Sequence, residues 1–281
     1  MAIGDSTRVN TNIAAFNALN ALKAINRNLE VSQLKLATGL RINEVADDPA
    51  GYTISRRLDA RARGLAVALD NVGTAKNVLS IAEGGLLNIS LILVTMKEKV
   101  TQARSDTLGV EERNAIKDEL SELAAEIQDT VDETVFNKIP LLDGTYIDKQ
   151  FQTGEAKDDV MPFSITDDAS PASLSVDDAS VANMVSNHTD AGTALDNVNT
   201  AMDSVSSILQ TIGATISRMT FKEETLRIAI TNTLATKSRI LDSDIANEQL
   251  KSTRLQILQQ TATAQLAQAN VAPQNVLALF Q

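Results

Sequence analysis

The chain has 281 residues, 43% of them hydrophobic but only 3% aromatic, with no Cys, no Trp, one His, 12 Gly and 5 Pro. This composition argues against a compact globule packed on large rings, a disulfide scaffold, thiol chemistry or a two-histidine metal motif, and points to long helices. The net charge of −11 disfavours a nucleic-acid partner, and it is concentrated: residues 111–190 hold 19 acidic and 5 basic residues, a net of −14 that leaves +3 for the rest.

The N-terminus lacks the basic start and continuous apolar core of a secretory signal, so export by another route is expected. No run of roughly 18 apolar residues suited to a membrane span stands out. A first helix is expected over about residues 10–40. Val9, Ile13, Phe16, Leu19, Leu22, Ile25 and Leu29 step by three and four, until Gly39 and Asp47-Asp48-Pro49 break the pattern.

The second block carries a heptad frame: Ile54, Leu58, Leu65, Ala68, Val72, Ala75, Leu79, Ala82, Leu86, Ile89, Leu93, Met96 and Val100, with Arg61 the one polar position. So long a repeat predicts a coiled-coil seam on a helix on the order of 75 Å long. A shorter helix is expected after Gly109, with Glu111 and Glu112 in its first turn and Ile116, Leu120, Leu123, Ile127 and Val131 on one face.

Residues 140–192 contain Pro140, Gly144, Gly154, Pro162, Pro171, Gly192 and most of the Asp pairs. Residues 144–152 and 160–166 predict a β-hairpin turning near Gly154. Ser, Thr, Asp and Ala dominate after residue 166, with too little apolar content for a second core. A second heptad runs through Leu195, Val198, Met202, Val205, Leu209, Ile212, Ile216, Met219, Leu226 and Ile230, interrupted by Glu223. Two such helices separated by a compact insert predict an antiparallel pair, and hence a rod.

Residues 255–281 contain no charged residue, and neither do residues 9–22. Leu255, Leu258, Ala262, Leu266 and Ala269 form a stripe while glutamines occupy other faces. Such ends suit burial against protein through packing and amide hydrogen bonds, with other copies of the chain as the natural partners. Order in these ends would then come with polymerisation.

The acidic pairs 47/48, 158/159, 167/168 and 177/178 match no spaced calcium loop and read as turn and cap residues; Asp242-Ser243-Asp244 reads as a helix N-cap. His188 reads as a surface histidine in a polar loop, and Met96, Met202 and Met219 as core. No catalytic, cofactor-binding or metal motif is present, so no enzymatic activity and no cofactor are implied.

Three regions carry a resemblance. Val9-Asn10-Thr11-Asn12-Ile13-Ala14-Ala15, Ala37-Thr38-Gly39-Leu40-Arg41-Ile42-Asn43 and Ala46-Asp47-Asp48-Pro49-Ala50-Gly51 closely resemble the N-terminal region of bacterial flagellin. Thr134-Val135-Phe136-Asn137 and Leu141-Leu142-Asp143-Gly144 resemble its mid-chain motifs. The end resembles it most specifically, in Gln256-Ile257-Leu258-Gln259-Gln260, Ala267-Gln268-Ala269-Asn270 and Pro273-Gln274-Asn275-Val276-Leu277. The resemblance covers roughly residues 1–165 and 193–281.

It implies a filament subunit, exported unfolded through the flagellar channel, helped by a flagellin chaperone, and polymerised beneath a cap protein into the extracellular bacterial flagellar filament used for swimming. The implied fold is mainly α, an elongated rod of long antiparallel coiled-coil helices with a small β-hairpin, plus a helix pair from the two chain ends. Residues 1–44 and 241–281 would form an inner core domain. Residues 45–240 would form a rod domain of the long helix, the short helix, a β-hairpin with a short acidic loop at about 140–192, and the returning long helix. Larger flagellins insert further domains where this chain has only about residues 166–192. Candidate self-assembly residues are Ile13, Phe16, Leu22, Leu255, Leu258, Leu266, Val276 and Leu277.

The alternative within the family is the hook–filament junction protein, which shares the terminal helices but resembles this C-terminus less. A flagellin with a protease insert is excluded by the short middle and the lack of His-Glu-x-x-His, and an intracellular coiled-coil scaffold would leave the uncharged ends unexplained. Flagellins recognised by a toll-like receptor share a stretch reading Gln-Arg-x-Arg-Glu-Leu-x-x-Gln. Here it reads Val94-Thr95-Met96-Lys97-Glu98-Lys99-Val100-Thr101-Gln102. Glu98, Gln102 and Glu119 match the pattern; Thr95, Lys97 and Lys99 depart from it, and weak receptor recognition is expected.

Overall fold

The computed structural model describes residues 11–278, apart from the side chains of residues 184 and 272–278. Its helices are α1 (Ile13–Thr38), α2 (Pro49–Ala103), α3 (Val110–Glu133), α4 (His188–Leu241) and α5 (Ile245–Ala278). Between α3 and α4 lie β1 (Val135–Phe136), β2 (Ile139–Pro140), β3 (Lys149–Gln152), β4 (Val160–Phe163) and a 3-10 turn, Ala182–Met184. The chain divides into two compact units, Arg61–Thr231 and Met1–Ala60 with Asn232–Gln281.

In the unit Arg61–Thr231 the core is a helix–helix seam. Every heptad position of α2 from Leu65 to Val100 is buried, with Leu79, Leu86, Ile89, Leu93 and Met96 fully so. Arg61, the polar position in that frame, points outward to Glu155 at 2.9 Å. α4 returns antiparallel: His188 Nδ1 meets the Arg104 carbonyl at 2.8 Å, and Lys76 Nζ meets Glu223 Oε2 at 3.0 Å. Glu223 is thus an ion-paired interruption of the α4 frame, also held by Arg227 at 2.7 Å. The hydrogen bonds from Arg227 and then Lys76 keep its carboxyl below the usual range.

The α4 seam differs from the expected frame by one residue at alternate positions. Ala194, Val198, Ala201, Val205, Ile208, Ile212, Thr215, Met219 and Leu226 are the buried set. Leu195, Met202, Leu209, Ile216 and Ile230 are half-buried against its flank. The stripe is wide because α4 also packs on the segment after β4, where Asn197 Nδ2 donates to the Ser180 carbonyl at 2.8 Å.

α3 lays Ile116, Leu120, Ala124, Ile127 and Val131 on the same core. At its start, buried Arg113 donates to the carbonyls of Ala103 and, at 2.9 Å, Ser105, satisfying the last carbonyl of α2 and one in the turn that follows it. The expected hairpin is present as β3–β4, antiparallel with Lys149 opposite Phe163 and Gln152 opposite Val160. A smaller hairpin, β1–β2, goes beyond the expected elements; Asn137 and Lys138 turn it with φ of 50° and 64°, the two-residue geometry that matches strand twist.

Residues 164–187 are more than an acidic loop. Ile165, Ala169, Leu174, Val176, Val181 and Val185 are buried in the same cluster as the helices. The acidic pairs act locally as expected: Asp168 accepts from Ser170 N at 2.8 Å and Asp177 from Ser180 N at 3.0 Å. Contrary to the expectation of no such run, α2 contains an 18-residue window of mean hydropathy 1.8, apolar enough to cross a membrane by length and composition. Much of that apolar content is the helix–helix seam itself.

In the other unit, α1 and α5 pair antiparallel. Asn12 Nδ2 donates to the Ala269 carbonyl at 2.7 Å, Gln259 Nε2 to Asn26 Oδ1 at 2.8 Å, and Ser32 Oγ to the Glu248 carbonyl at 3.4 Å. Gly39, at φ 72°, ends α1 with its N–H on the Lys35 carbonyl. The turns then clasp each other: Arg41 N donates to the Leu241 carbonyl at 2.7 Å and Ser243 N to the Gly39 carbonyl at 2.9 Å. At the start of α2 the expected frame fails. Ile54 is exposed while Gly51 and Ser55 are buried, and a Cβ at position 51 would lie 2.4 Å from Asp48 Oδ2 and 2.7 Å from Ile42 Cδ1.

Candidate assembly surfaces

Asn12 caps α1, its Oδ1 accepting from Ala15 N at 3.0 Å, while its amide reaches α5. Asp244 does the same for α5, accepting from Asn247 N at 3.1 Å. These backbone devices hold two helices side by side with very little apolar burial. Among the described residues of this unit, Leu29, Ile42 and Leu255 are the buried apolar side chains.

Ile13 and Phe16, expected to face other copies, are exposed, Phe16 at 63%. Leu258 is exposed as well, Leu22 and Leu266 are half-buried, and Leu255 is covered within the chain. The side chains of Val276 and Leu277 lie outside the described residues, as does Val9. Exposed Val31, Leu34, Leu250 and Ile257 belong with the outward set although the sequence stripe did not include them. They sit on other helix faces, and Val31, Leu34 and Leu250 have charged neighbours in Glu30, Lys35 and Lys251, so no pattern in the sequence signals them. Between α1 and α5, an open polar depression of about 560 Å³ is lined by Asn26, Glu30, Gln33, Gln256, Gln259 and Gln260 with Leu29. It offers many amide donors and acceptors and few charges, as an interface that must be desolvated requires.

The unit Arg61–Thr231 has its own uncovered apolar residues. On α2, Leu87, Leu91 and Val94 are exposed, Leu91 at 68%. On α4, Phe221 is 75% exposed. It borders an open groove of about 420 Å³ between α4 and the β3–β4 hairpin, lined by Thr153, Val160, Met161 and Pro162 on one side and Arg218, Lys222 and Thr225 on the other.

The candidate receptor residues share one stretch of this unit. Thr95 is half-buried with its hydroxyl on the Leu91 carbonyl at 3.2 Å. Lys97 and Lys99 are half-buried, and Glu98, Gln102 and Glu119 are exposed. Lys99 is paired with Glu119.

Similarity to known proteins runs along the same two ends of the chain. A family model described as the bacterial flagellin N-terminal helical region matches residues 9–146, and one described as the bacterial flagellin C-terminal helical region matches residues 195–280. The flagellin of Halalkalibacterium halodurans is 35% identical over 97% of this chain and 99% of its own. The flagellin of Bacillus subtilis is 35% identical over 98% of this chain and 100% of its own. Among solved structures, a putative flagellar hook-associated protein from Vibrio parahaemolyticus superposes with a TM-score of 0.58 at 15% identity, covering 70% of this chain and 100% of that one. That likeness concerns the fold alone.

Proposed function

The chain belongs to the bacterial flagellin family, and from that premise we infer that it is the structural subunit that self-assembles into the flagellar filament. The observation that carries this reading is the α1–α5 pair: two helices of 26 and 34 residues that leave Phe16, Leu250 and Ile257 uncovered. A free subunit gains little from folding these ends, so their burial free energy is reserved for neighbouring copies.

The α1–α5 pair, residues 1–44 with 241–281, would serve as the inner core domain, and residues 45–240 as the surrounding domain. The filament is extracellular, which implies passage of the unfolded chain through the flagellar export apparatus, a flagellin chaperone, and growth beneath a cap protein. Thr95, Lys97, Glu98, Lys99, Gln102 and Glu119 would form a weak toll-like receptor contact. The hook–filament junction reading is not favoured: the 35%-identical relatives matched over nearly their full length are flagellins, whereas the hook-associated protein shares 15% identity.

Removal of residues 1–35, or separately of residues 255–281, tests the reading. Electron microscopy should show no filaments from either truncate, while circular dichroism still shows a helical, cooperatively melting unit. Filaments of normal stability from either truncate would overturn it.

A further inference from the structure

Between residues 86 and 96, α2 is helical against the local preference of its sequence. Leu86-Leu87-Asn88-Ile89-Ser90-Leu91-Ile92-Leu93-Val94-Thr95-Met96 holds no charge, no Gly and no Pro, and eight of its eleven residues are large and apolar. Asn88, Ile89, Ser90, Ile92, Val94 and Thr95 are middling helix formers, and Gly84 and Gly85 lead into them. Burial holds this stretch helical, with Leu86, Ile89, Leu93 and Met96 sealed in the seam. An unfolded copy has no seam, and what remains to it is propensity and pattern.

The pattern of the extended chain is different from that of the helix. Alternation places Leu87, Ile89, Leu91 and Leu93 on one face of a strand, and that face is wholly apolar. The other face carries Leu86, Asn88, Ser90, Ile92 and Val94, where stacked asparagines of identical strands form an amide ladder. In the helix the apolar four are split: Ile89 and Leu93 are buried, and Leu87 and Leu91 are exposed. Only a strand unites them. Charges bracket the run, Glu83 before it and Lys97-Glu98-Lys99 directly after it, where flanking charges limit stacking. Other uncharged runs are weaker. Residues 228–236 hold only Ile228, Ile230 and Leu234 as large apolar residues, and residues 255–272 are diluted by Ala and Gln.

We propose that residues 86–96 are a cross-β self-association segment. Unfolded copies of the chain stack through it, with Leu87, Ile89, Leu91 and Leu93 as the dry face, and the packing of α2 in the folded unit withholds it. The partner is a second copy of this chain in its unfolded state. This goes beyond the filament reading, since it concerns the unfolded chain and stands whether or not the folded one polymerises. In a filament subunit it sets a competition: copies that meet before they fold are diverted from assembly.

Leu91 separates the two states, because it is 68% exposed in the helix and central to the strand face. Full-length monomer is held at the top of its thermal transition and followed by thioflavin T fluorescence. The aggregates are then examined by fibre diffraction and by mass spectrometry of their protease-resistant core. The unaltered chain should form thioflavin-positive fibrils with a reflection at about 4.7 Å and a core that contains residues 86–96. Leu91→Lys should leave the monomer melt unchanged and lengthen the lag at least about tenfold. Ile257→Lys, which alters an exposed apolar residue outside the segment, should leave the lag as it is. A solution of the unaltered chain that stays clear, aggregates without the reflection, a core elsewhere in the chain, or an unchanged lag for Leu91→Lys would each overturn the proposal. If Leu91→Lys shifts the melt, Leu87→Lys on the same strand face is read in its place, and the core of the unaltered chain needs no variant at all. Failure of the folded monomer to form filaments would remove the filament reading and leave this segment untouched.

Discussion

Lys99 Nζ lies 2.5 Å from Glu119 Oε1, tying α2 to α3 through two residues that the family resemblance nominates separately for receptor contact. A receptor that needs the Glu119 carboxylate must first take it from Lys99. Both groups are partly exposed, so the pair is worth little to folding but competes directly with an incoming donor. Thr95 cannot replace the planar donor fork of an arginine at the same position. Monomeric protein should therefore activate the receptor weakly, and Thr95→Arg with Lys99→Leu should recover part of the signal. A reporter-cell titration with the unmodified monomer as potent as a flagellin carrying the full motif would refute this.

The two heptad frames make unequal claims on stability. Leu86 is fully buried in the α2 seam, whereas Leu209 is half-buried beside seam residue Ile208. Leu86→Asp strands a carboxylate in the core and should cost several kcal/mol. Leu209→Asp lets the carboxylate reach water, so its cost should be clearly smaller, and Ile208→Asp should exceed it. Thermal melts of the three monomeric variants check the order. A larger loss for Leu209→Asp than for Ile208→Asp would contradict a seam that runs through Ile208.

That difference shows where the chain is legible. From Leu65 to Val100 one continuous face of α2 is buried and takes every third or fourth residue, so periodicity alone reveals the core. On α4 the periodicity is real, but the stripe serves two neighbours, and large Met202 and Leu209 draw the eye from small Ala201 and flanking Ile208. Between residues 164 and 187 there is no period to find. Ile165, Leu174, Val176 and Val185 are buried by tertiary fit, and Asp168 and Asp177 organise only the turns between them. The uncharged ends announce a buried destiny, yet Leu255 meets α1 while Ile257 faces out, a distinction that depends on how α5 is rotated against α1.

Two carboxylates at the helix turns set an acid limit. Backbone hydrogen bonds from Asn43 and Glu44 hold Asp47 below its ordinary value of 3.8, and those from Asn247 do the same for Asp244. A depressed folded value means the stabilisation is fully present above the ordinary pKa and is lost as pH falls through the lower, folded one. Asp47→Asn with Asp244→Asn should therefore lower the melting temperature at pH 6. The gap from the unaltered protein should close as both approach pH 2. A gap that widens on acidification would show that these groups are not ones that hold the turns.

The adjacent glycines 84 and 85 should respond oppositely to one methyl group. Gly84 faces open space, so Gly84→Ala gains helix propensity of about 0.5–1 kcal/mol with nothing displaced. In a chain of this size that corresponds to a rise of about 1–4 °C in the monomer melt. Gly85 faces the β1–β2 corner, where a Cβ would lie 2.5 Å from Thr134 Oγ1 and 2.9 Å from Leu142 Cδ1. Thr134 is committed by its hydroxyl to the Thr130 carbonyl at 2.6 Å, and Leu142 is fully buried, so neither moves aside cheaply. Overpacking of that kind costs about 1–3 kcal/mol and outweighs the same propensity gain. Gly85→Ala should lower the monomer melting temperature while Gly84→Ala raises it. If both variants shift in the same direction, the close approach of α2 to the β1–β2 corner is not what selects glycine at position 85.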